Sequence, residues 1–319
     1  MENTNEMLTA SARALVTEIE SVVIGKHNEI VLLVTALLSG GHVLIEDVPG
    51  TGKTTLAAAL AKAAGLKFNR AQFTPDVMAS DITGFNVYNR QTESFSFKEG
   101  LVMTNILLAD EINRASPKTQ SALLEAMEEA KVTVDGVTYP VPEPFFVIAT
   151  QNPTGYVGTY PLPEAQLDRF ALRLSMGYPT VDEEVRILSD RQKSNPLEKV
   201  RAVTDIQAIR TLRAMVQNVT VTPEIARYIV ELVHATRKSR KLSLGASPRA
   251  SLLIMKLAQA YAFLRERDYV KPEDVAFVFI PGIAHRVVLS QEARLNRESA
   301  QTILGEILHQ VEVPYQGGR

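Results

Sequence analysis

The apolar run His42-Val43-Leu44-Ile45-Glu46 and the stretch that follows it constrain this chain more than any other feature. After Asp47 and Val48 come Pro49-Gly50-Thr51-Gly52-Lys53-Thr54-Thr55, and then an alanine-rich segment from Leu56 to Ala64. A short apolar run reads as a buried strand, and the alanine-rich segment as a helix. A strand, a glycine-rich turn and Gly-Lys-Thr opening a helix form the context that a phosphate-binding loop requires. Small residues let backbone N–H groups converge on a polyphosphate, and the helix N-terminus adds its positive end. Lys53 would supply a point charge for the outer phosphates, and the Thr54 hydroxyl can ligate Mg²⁺. The usual pattern, G-x-x-x-x-G-K-[ST], begins with glycine, and this chain has Asp47 there. The alternative is an ordinary glycine-rich turn, so the decision rests on what lies downstream.

The chain has 319 residues, 45% hydrophobic and 22% charged, enough for two domains with cores of their own. The longest clear apolar run, Ile30 to Leu38, falls well short of the ~20 residues of a membrane span. The first residues, Met1-Glu2-Asn3-Thr4-Asn5-Glu6, are polar and acidic, unlike a signal peptide. With no cysteine there are neither disulfides nor thiolate metal sites, which is compatible with a cytoplasmic setting. A net charge of −2 makes no global electrostatic case for nucleic acid.

Leu8, Ala12, Leu15 and Ile19 share one helical face, and Ile30, Leu33, Val34 and Leu37 mark a second helix. Four further apolar runs follow the first: Phe68 to Phe73, Ile106 to Ala109, Phe145 to Ala149 and Ala171 to Leu174. With Val43 to Ile45 they predict a five-stranded, mostly parallel sheet with helices between the strands, an α/β core. Two hairpins are expected to interrupt it. One alternates Phe85, Val87 and Phe95, Phe97 around Asn89 to Glu93; the other turns at Asp135-Gly136 between two Val-Thr runs. Ser116-Pro117 is a cap and N1 pair for a helix carrying Leu123, Leu124 and Met127.

From Thr180 the pattern predicts helices only. Capping boxes stand at Thr180 to Glu183 and at Thr204 to Gln207, and cap-plus-proline starts at Thr222-Pro223 and Ser247-Pro248. The boundary therefore falls near Pro179, dividing a nucleotide-binding core, 1–179, from an all-α domain, 180–319. The end, Gly317-Gly318-Arg319, is expected to fray.

Ile106-Leu107-Leu108-Ala109-Asp110-Glu111 is a strand that ends in two carboxylates, and in an open α/β sheet ligands sit at such ends. Asp110 is a candidate for holding Mg²⁺, and Glu111 for polarising an attacking water. A terminal Asp-Glu pair alone would be weak evidence; downstream of a phosphate loop it reads as catalytic. Asn152, after the strand Phe146 to Ala149, either initiates an Asn-Pro turn or serves the site, orienting that water or touching the γ-phosphate. Arg169, in Pro163 to Phe170, is a surface residue, a partner for Asp168, or an arginine finger reaching a neighbouring subunit. Arg249 falls in the first turn after Ser247-Pro248, where a cation opposes the helix dipole by roughly 0.3–1 kcal/mol. A nearby anion would remove that conflict.

Taken together the chain resembles an AAA+ ATPase of the MoxR family over almost its whole length. The resemblance is carried by Pro49 to Thr54, Gln72-Phe73-Thr74-Pro75-Asp76, Asp81-Ile82-Thr83-Gly84 and Ala109-Asp110-Glu111-Ile112-Asn113-Arg114-Ala115. Ala149 to Pro153, Pro163 to Phe170 and Gly245-Ala246-Ser247-Pro248-Arg249-Ala250 complete it. It implies Walker A at Asp47 to Thr54, Walker B at Asp110 and Glu111, sensor 1 at Asn152, sensor 2 at Arg249 and an arginine finger at Arg169. An adenine-side contact is implied around Ile24 and Gly25, and a helical lid after the core. The hairpins fall where this clade carries its helix-2 insert and pre-sensor-1 hairpin, and Gly100-Leu101 stands where family members often have Gly-Pro. Similar proteins bind ATP and Mg²⁺, form rings that are usually hexameric, and act as chaperones, often with von Willebrand factor A-domain partners. A nucleotide-gated assembly module with slow hydrolysis, or a DNA or metal-chelatase-type motor, shares the same pocket residues and stays open at this stage.

Overall fold

The computed structural model describes residues 2–152, 159–192 and 195–314, so Pro153 and the expected fraying end at Gly317 to Arg319 lie outside the described residues. Helices α1 (Glu2–Glu20) and α2 (His27–Ser39) precede β1 (Val43–Glu46), which runs through the glycine-rich turn into α3 (Lys53–Ala63). Then come β2 (Phe68–Gln72), a short α4 (Ala79–Thr83), and the hairpin of β3 (Gly84–Asn89) and β4 (Ser94–Glu99). β5 (Ile106–Asp110) leads through a 3-10 turn at Ile112–Arg114 into α5 (Pro117–Glu129) and the second hairpin, β6 (Lys131–Val134) and β7 (Val137–Pro140). β8 (Phe146–Gln151), α6 (Glu164–Leu167), β9 (Leu172–Leu174) and α7 (Val181–Arg191) complete the first half. The second half holds α8 (Ile206–Gln217), α9 (Pro223–Lys238), β10 (Leu242–Leu244), α10 (Pro248–Leu264), α11 (Pro272–Ile283), β11 (Val288–Leu289), α12 (Gln291–Leu295) and α13 (Ala300–Gln310). No helix among the described residues is long and apolar enough to cross a membrane.

The five apolar runs form one sheet in the order β2-β5-β8-β1-β9, and every neighbouring pair is parallel. Strict alternation sends their side chains into two layers. Val43, Ile45, Ile106, Leu108, Ile148 and Leu172 face α1, α2, α3 and the later helices. Leu44, Leu107, Ala109, Val147 and Ala149 face α5 and the base of the hairpins. Burial on both faces is what a parallel sheet requires, and it explains why β5 and β8 read as unbroken apolar runs. The first layer continues without a break from Leu15 and Leu33 into Leu232, Leu257 and Phe279. The change of pattern near Pro179 therefore does not coincide with a gap in the apolar core.

Local chemistry sets the remaining elements. Asp135 and Gly136 both have positive φ, 49° and 82°, as a two-residue I′ hairpin demands. Phe97 stacks on Tyr139 at 3.9 Å between centroids and joins the two hairpins. Leu101 donates its N–H to Asp81 O at 2.9 Å, a bond that a proline at this position could not make. The expectation of helices only after Thr180 needs correcting, because β10 and β11 pair antiparallel. Strands of three and two residues are too short to carry a periodic signal. The cap expected at Thr204 belongs instead to Asp205, whose Oδ1 accepts from Ala208 N at 2.8 Å.

Two buried polar side chains fasten the core. Asp47, 6% exposed, accepts from Val48 N at 2.8 Å through Oδ1, and from Met176 N and Gly177 N at 2.7 Å each through Oδ2. The residue that departs from the usual loop pattern is thus a tie between the end of β1 and the chain leaving β9. His42 sits between the sheet and α5, accepting from Val147 N at 3.0 Å through Nδ1 and donating from Nε2 to Met127 O at 3.1 Å. Burial lowers its pKa from the ordinary 6.5 to about 4, and burial likewise pushes His285 well below its usual range.

Replacing Asp47 with alanine leaves three N–H donors without their acceptor, and should lower stability by about 2–3 kcal/mol. Urea unfolding measures this, and an unchanged midpoint would contradict the tie. The unfolded chain takes up a proton on His42 near 6.5 while the folded chain resists it down to about 4. This contribution is therefore fully present above pH 6.5 and is lost as pH falls toward 4, to the extent of on the order of 3 kcal/mol. His42→Gln should flatten the fall in stability over that window relative to the parent chain; parallel profiles would remove His42 from the account.

Candidate active site

The C-terminal ends of β1, β5 and β8 open on one cleft of about 520 Å³. Ile24, Pro49, Gly50, Thr51, Gly52, Lys53, Thr54, Thr55, Asp110, Glu111 and Asn152 all line it. The sequence-predicted phosphate, metal and water residues are thus brought together by the sheet. Gly25 does not line the cleft, although its neighbours Ile24 and Lys26 do. Its φ of +74° turns the chain, and a Cβ there would meet the Glu183 carboxylate at 1.9 Å.

Gly50 and Gly52 both have φ of +88°, which a side chain would strain, and the space beyond each Cα is open. Gly52 caps α3, whose first N–H groups have no intrahelical partner and face the cleft wall formed by residues 53–55. Lys53, 9% exposed, donates from Nζ to Asp47 O at 3.0 Å and Val48 O at 2.8 Å, folding the loop around its own ammonium. Burial pulls the Lys53 pKa below its ordinary 10.5, and the charges of Asp47, Asp110 and Glu111 oppose that pull.

The acidic side of the cleft is a connected network. Thr150 Oγ1 donates to Asp110 Oδ1 at 2.6 Å and accepts from Glu111 N at 2.9 Å. Arg70 on β2 pairs with Asp110 Oδ2 at 2.8 Å. Glu111 is held in the left-handed region, φ 56°, a sparsely populated conformation for a residue with a side chain. Its Oε1 accepts from Asn152 Nδ2 at 3.3 Å and its Oε2 pairs with Arg114 Nη1 at 2.9 Å. No group of three or more His, Cys, Asp or Glu that could hold a metal by itself exists among the described residues. One carboxylate, Asp110, and the Thr54 hydroxyl fit Mg²⁺ that arrives on a polyphosphate and keeps waters, rather than a resident ion.

Arg169 and Arg249 do not line this cleft. Both line a second one, of about 400 Å³, and share one carboxylate there. Glu128 Oε2 is 3.2 Å from Arg169 Nη2, and Glu128 Oε1 accepts from Arg249 Nη2 at 3.1 Å. Asp168, a sequence candidate for pairing with Arg169, is taken instead by Arg286 at 2.6 Å. The anion that Arg249 calls for in the first turn of α10 is therefore Glu128 of the same chain.

Sequence reasoning missed Arg70, Gln72, Arg114 and Arg191, all near or on the first cleft wall, together with Thr150 and Glu128. Arg70 and Gln72 carried a usable signal, since they are polar residues closing a strand beside the carboxylate strand, with Gln72 in register with Asp110. Arg191 and Glu128 had none, because helix packing alone brings them to their clefts.

Residues 42–172 match the family described as "ATPase family associated with various cellular activities (AAA)", and residues 234–307 match the AAA lid domain. The chain is 52% identical to the uncharacterized protein YeaC of Bacillus subtilis over 94% of each chain. It is 40% identical to the chaperone MoxR1 of Mycobacterium tuberculosis over 93% of this chain and 81% of that one. A crystal structure of a Cytophaga hutchinsonii protein, assigned provisionally as an ATPase, superposes with a TM-score of 0.90 at 37% identity, covering 98% of both chains. The AAA match spans all five strands of the sheet except the last two residues of β9, and these likenesses run nearly end to end, so the chain belongs to the MoxR family of AAA+ ATPases.

Proposed function

We propose that the chain is a cytoplasmic, Mg²⁺-dependent ATPase that works as a hexameric ring and remodels or activates client proteins, among them von Willebrand factor A-domain proteins. The observation that carries this reading is a division of labour. Lys53, Thr54, Asp110, Glu111 and Asn152 meet in one cleft, while Arg169 and Arg249 are presented at another. A second copy that placed its Arg169 and Arg249 against the first cleft would complete the positive charge around a terminal phosphate. α7 supports assembly: none of its residues is buried, and Val181, Val185 and Leu188 are 79%, 57% and 68% exposed. The β3–β4 hairpin offers a client surface, with Phe95 70% and Tyr88 50% exposed.

In this reading the N–H groups at the start of α3 and the Lys53 ammonium bind the phosphates of ATP, and Ile24 packs on the base side. Thr54 and Asp110 would hold Mg²⁺, which when bound neutralises charge on the β- and γ-phosphates. Asn152 orients Glu111, and Glu111 accepts a proton from the water whose oxygen attacks the γ-phosphorus as the bond to the β-phosphate oxygen breaks. Arg114 holds the other Glu111 oxygen, so the carboxylate keeps one direction.

Glu111→Gln should retain ATP binding by calorimetry and lose turnover by about 10²-fold or more in a phosphate-release assay. Turnover like that of the parent chain would remove Glu111 from its role. Arg169→Ala should abolish turnover with ATP affinity kept, and mixing it with Glu111→Gln subunits should restore activity. A mixture that stays inactive would refute sharing of sites between subunits.

A further inference from the structure

Glu128 is the penultimate residue of α5, and its two oxygens are divided between two arginines that come from distant parts of the chain. Arg169 follows α6, and Arg249 opens α10. The carboxylate is 34% exposed and the two arginines 29% and 58%, so as an ion pair alone it adds little to stability. Its geometry does more. Two guanidinium groups held on one small anion would repel each other without it, and buried Arg286, 4% exposed, adds a third positive charge nearby.

The mount has a second side. Arg286 donates from Nη2 to Asp168 O at 2.8 Å and to Phe170 O at 2.6 Å, the carbonyls on either side of Arg169. The Arg169 backbone is therefore fixed by Arg286, while its side chain is held by Glu128. Glu128 is itself placed by the His42 bond to the neighbouring carbonyl, Met127 O, at 3.1 Å. A carboxylate that takes one guanidinium on each oxygen presents the same pair of donors that a single terminal phosphoryl group could meet.

We propose that Glu128 is a positioning residue for hydrolysis in a neighbouring subunit, holding Arg169 and Arg249 together as one unit for the γ-phosphoryl group bound there. The proposal rests on the shared-site reading above, in which Arg169 and Arg249 act on the next subunit's ATP. Glu128 touches no substrate; it acts through the two arginines. Its removal should therefore cost turnover and spare nucleotide binding, which the subunit's own first cleft provides.

The test compares full-length parent chain, Glu128→Gln, Glu128→Asp and Arg169→Ala in phosphate release, ATP calorimetry and particle mass by ultracentrifugation. Glu128→Gln should lower kcat by about 10²-fold, the scale of an ångström misplacement, with KM changed by less than about twofold. Glu128→Asp, which keeps the charge but is too short to serve both arginines fully, should fall between. Glu128→Gln mixed with Glu111→Gln should regain activity, because its intact first cleft then meets the undisturbed arginines of the other variant. Unchanged or faster turnover in Glu128→Gln, loss of the assembled particle, or loss that mixing does not restore would each overturn the positioning role. Full turnover in Arg169→Ala would instead overturn the shared-site reading, and this proposal with it.

Discussion

Parallel pairing imposes one constraint from which the rest follows: all five strands of the sheet end on the same edge. Gln72 therefore lies in register with Asp110, and Glu46 with Gln151. The three inner strands, β5, β8 and β1, are apolar through their middle and turn polar at the end, at Asp110, Thr150 and Glu46, since both faces are covered by helices and the edge is wet. The outer strands β2 and β9 admit Asn69, Arg70 and Arg173. Residues more than a hundred positions apart, Asp47 and Asn152, thereby come to one edge without any direct contact having to pull them there.

At that edge the charges are arranged so that none is buried alone. Lys53 is enclosed by carbonyls of its own loop and by three carboxylates, and Asp110 and Glu111 are each engaged by an arginine and a neutral donor. An unpaired charge in such a place would be far costlier than the ion pairs are favourable. In the proposed reading, a polyphosphate entering the cleft would exchange partners with groups already held in place. Arg70 would trade part of its hold on Asp110 as a cation arrives on the phosphates.

α5 joins the two clefts. It begins at Pro117, just beyond the 3-10 turn that carries Arg114, and Gln120 Nε2 donates to Ile112 O at 3.2 Å in that turn. It ends at Glu129, beside the carboxylate that carries Arg169 and Arg249, and continues into the β6–β7 hairpin. One helix thus bonds to the turn that follows Glu111, carries the carboxylate on which Arg169 and Arg249 meet, and runs into an exposed hairpin.

The sheet was legible because a parallel core leaves an unmistakable trace, short apolar runs between helical patterns, and the loop because phosphate chemistry admits few residue types at Gly50, Gly52 and Lys53. Ser116, Thr180 and Thr222 announced helix starts, since a cap is a local affair between a side chain and an N–H three residues on. Asp47 looked like a defect in a pattern and proved to be a buried tie, because its partners at residues 176 and 177 are remote in sequence. The sequence by itself determined the five strands of the parallel sheet, the loop and which residue types are candidates for the chemistry, all consequences of local spacing. Only the tertiary structure decided that Arg169 and Arg249 stand together on Glu128 and away from their own chain's cleft. That arrangement depends on how α5, α6 and α10 pack, and long-range packing leaves no periodic signal in the sequence.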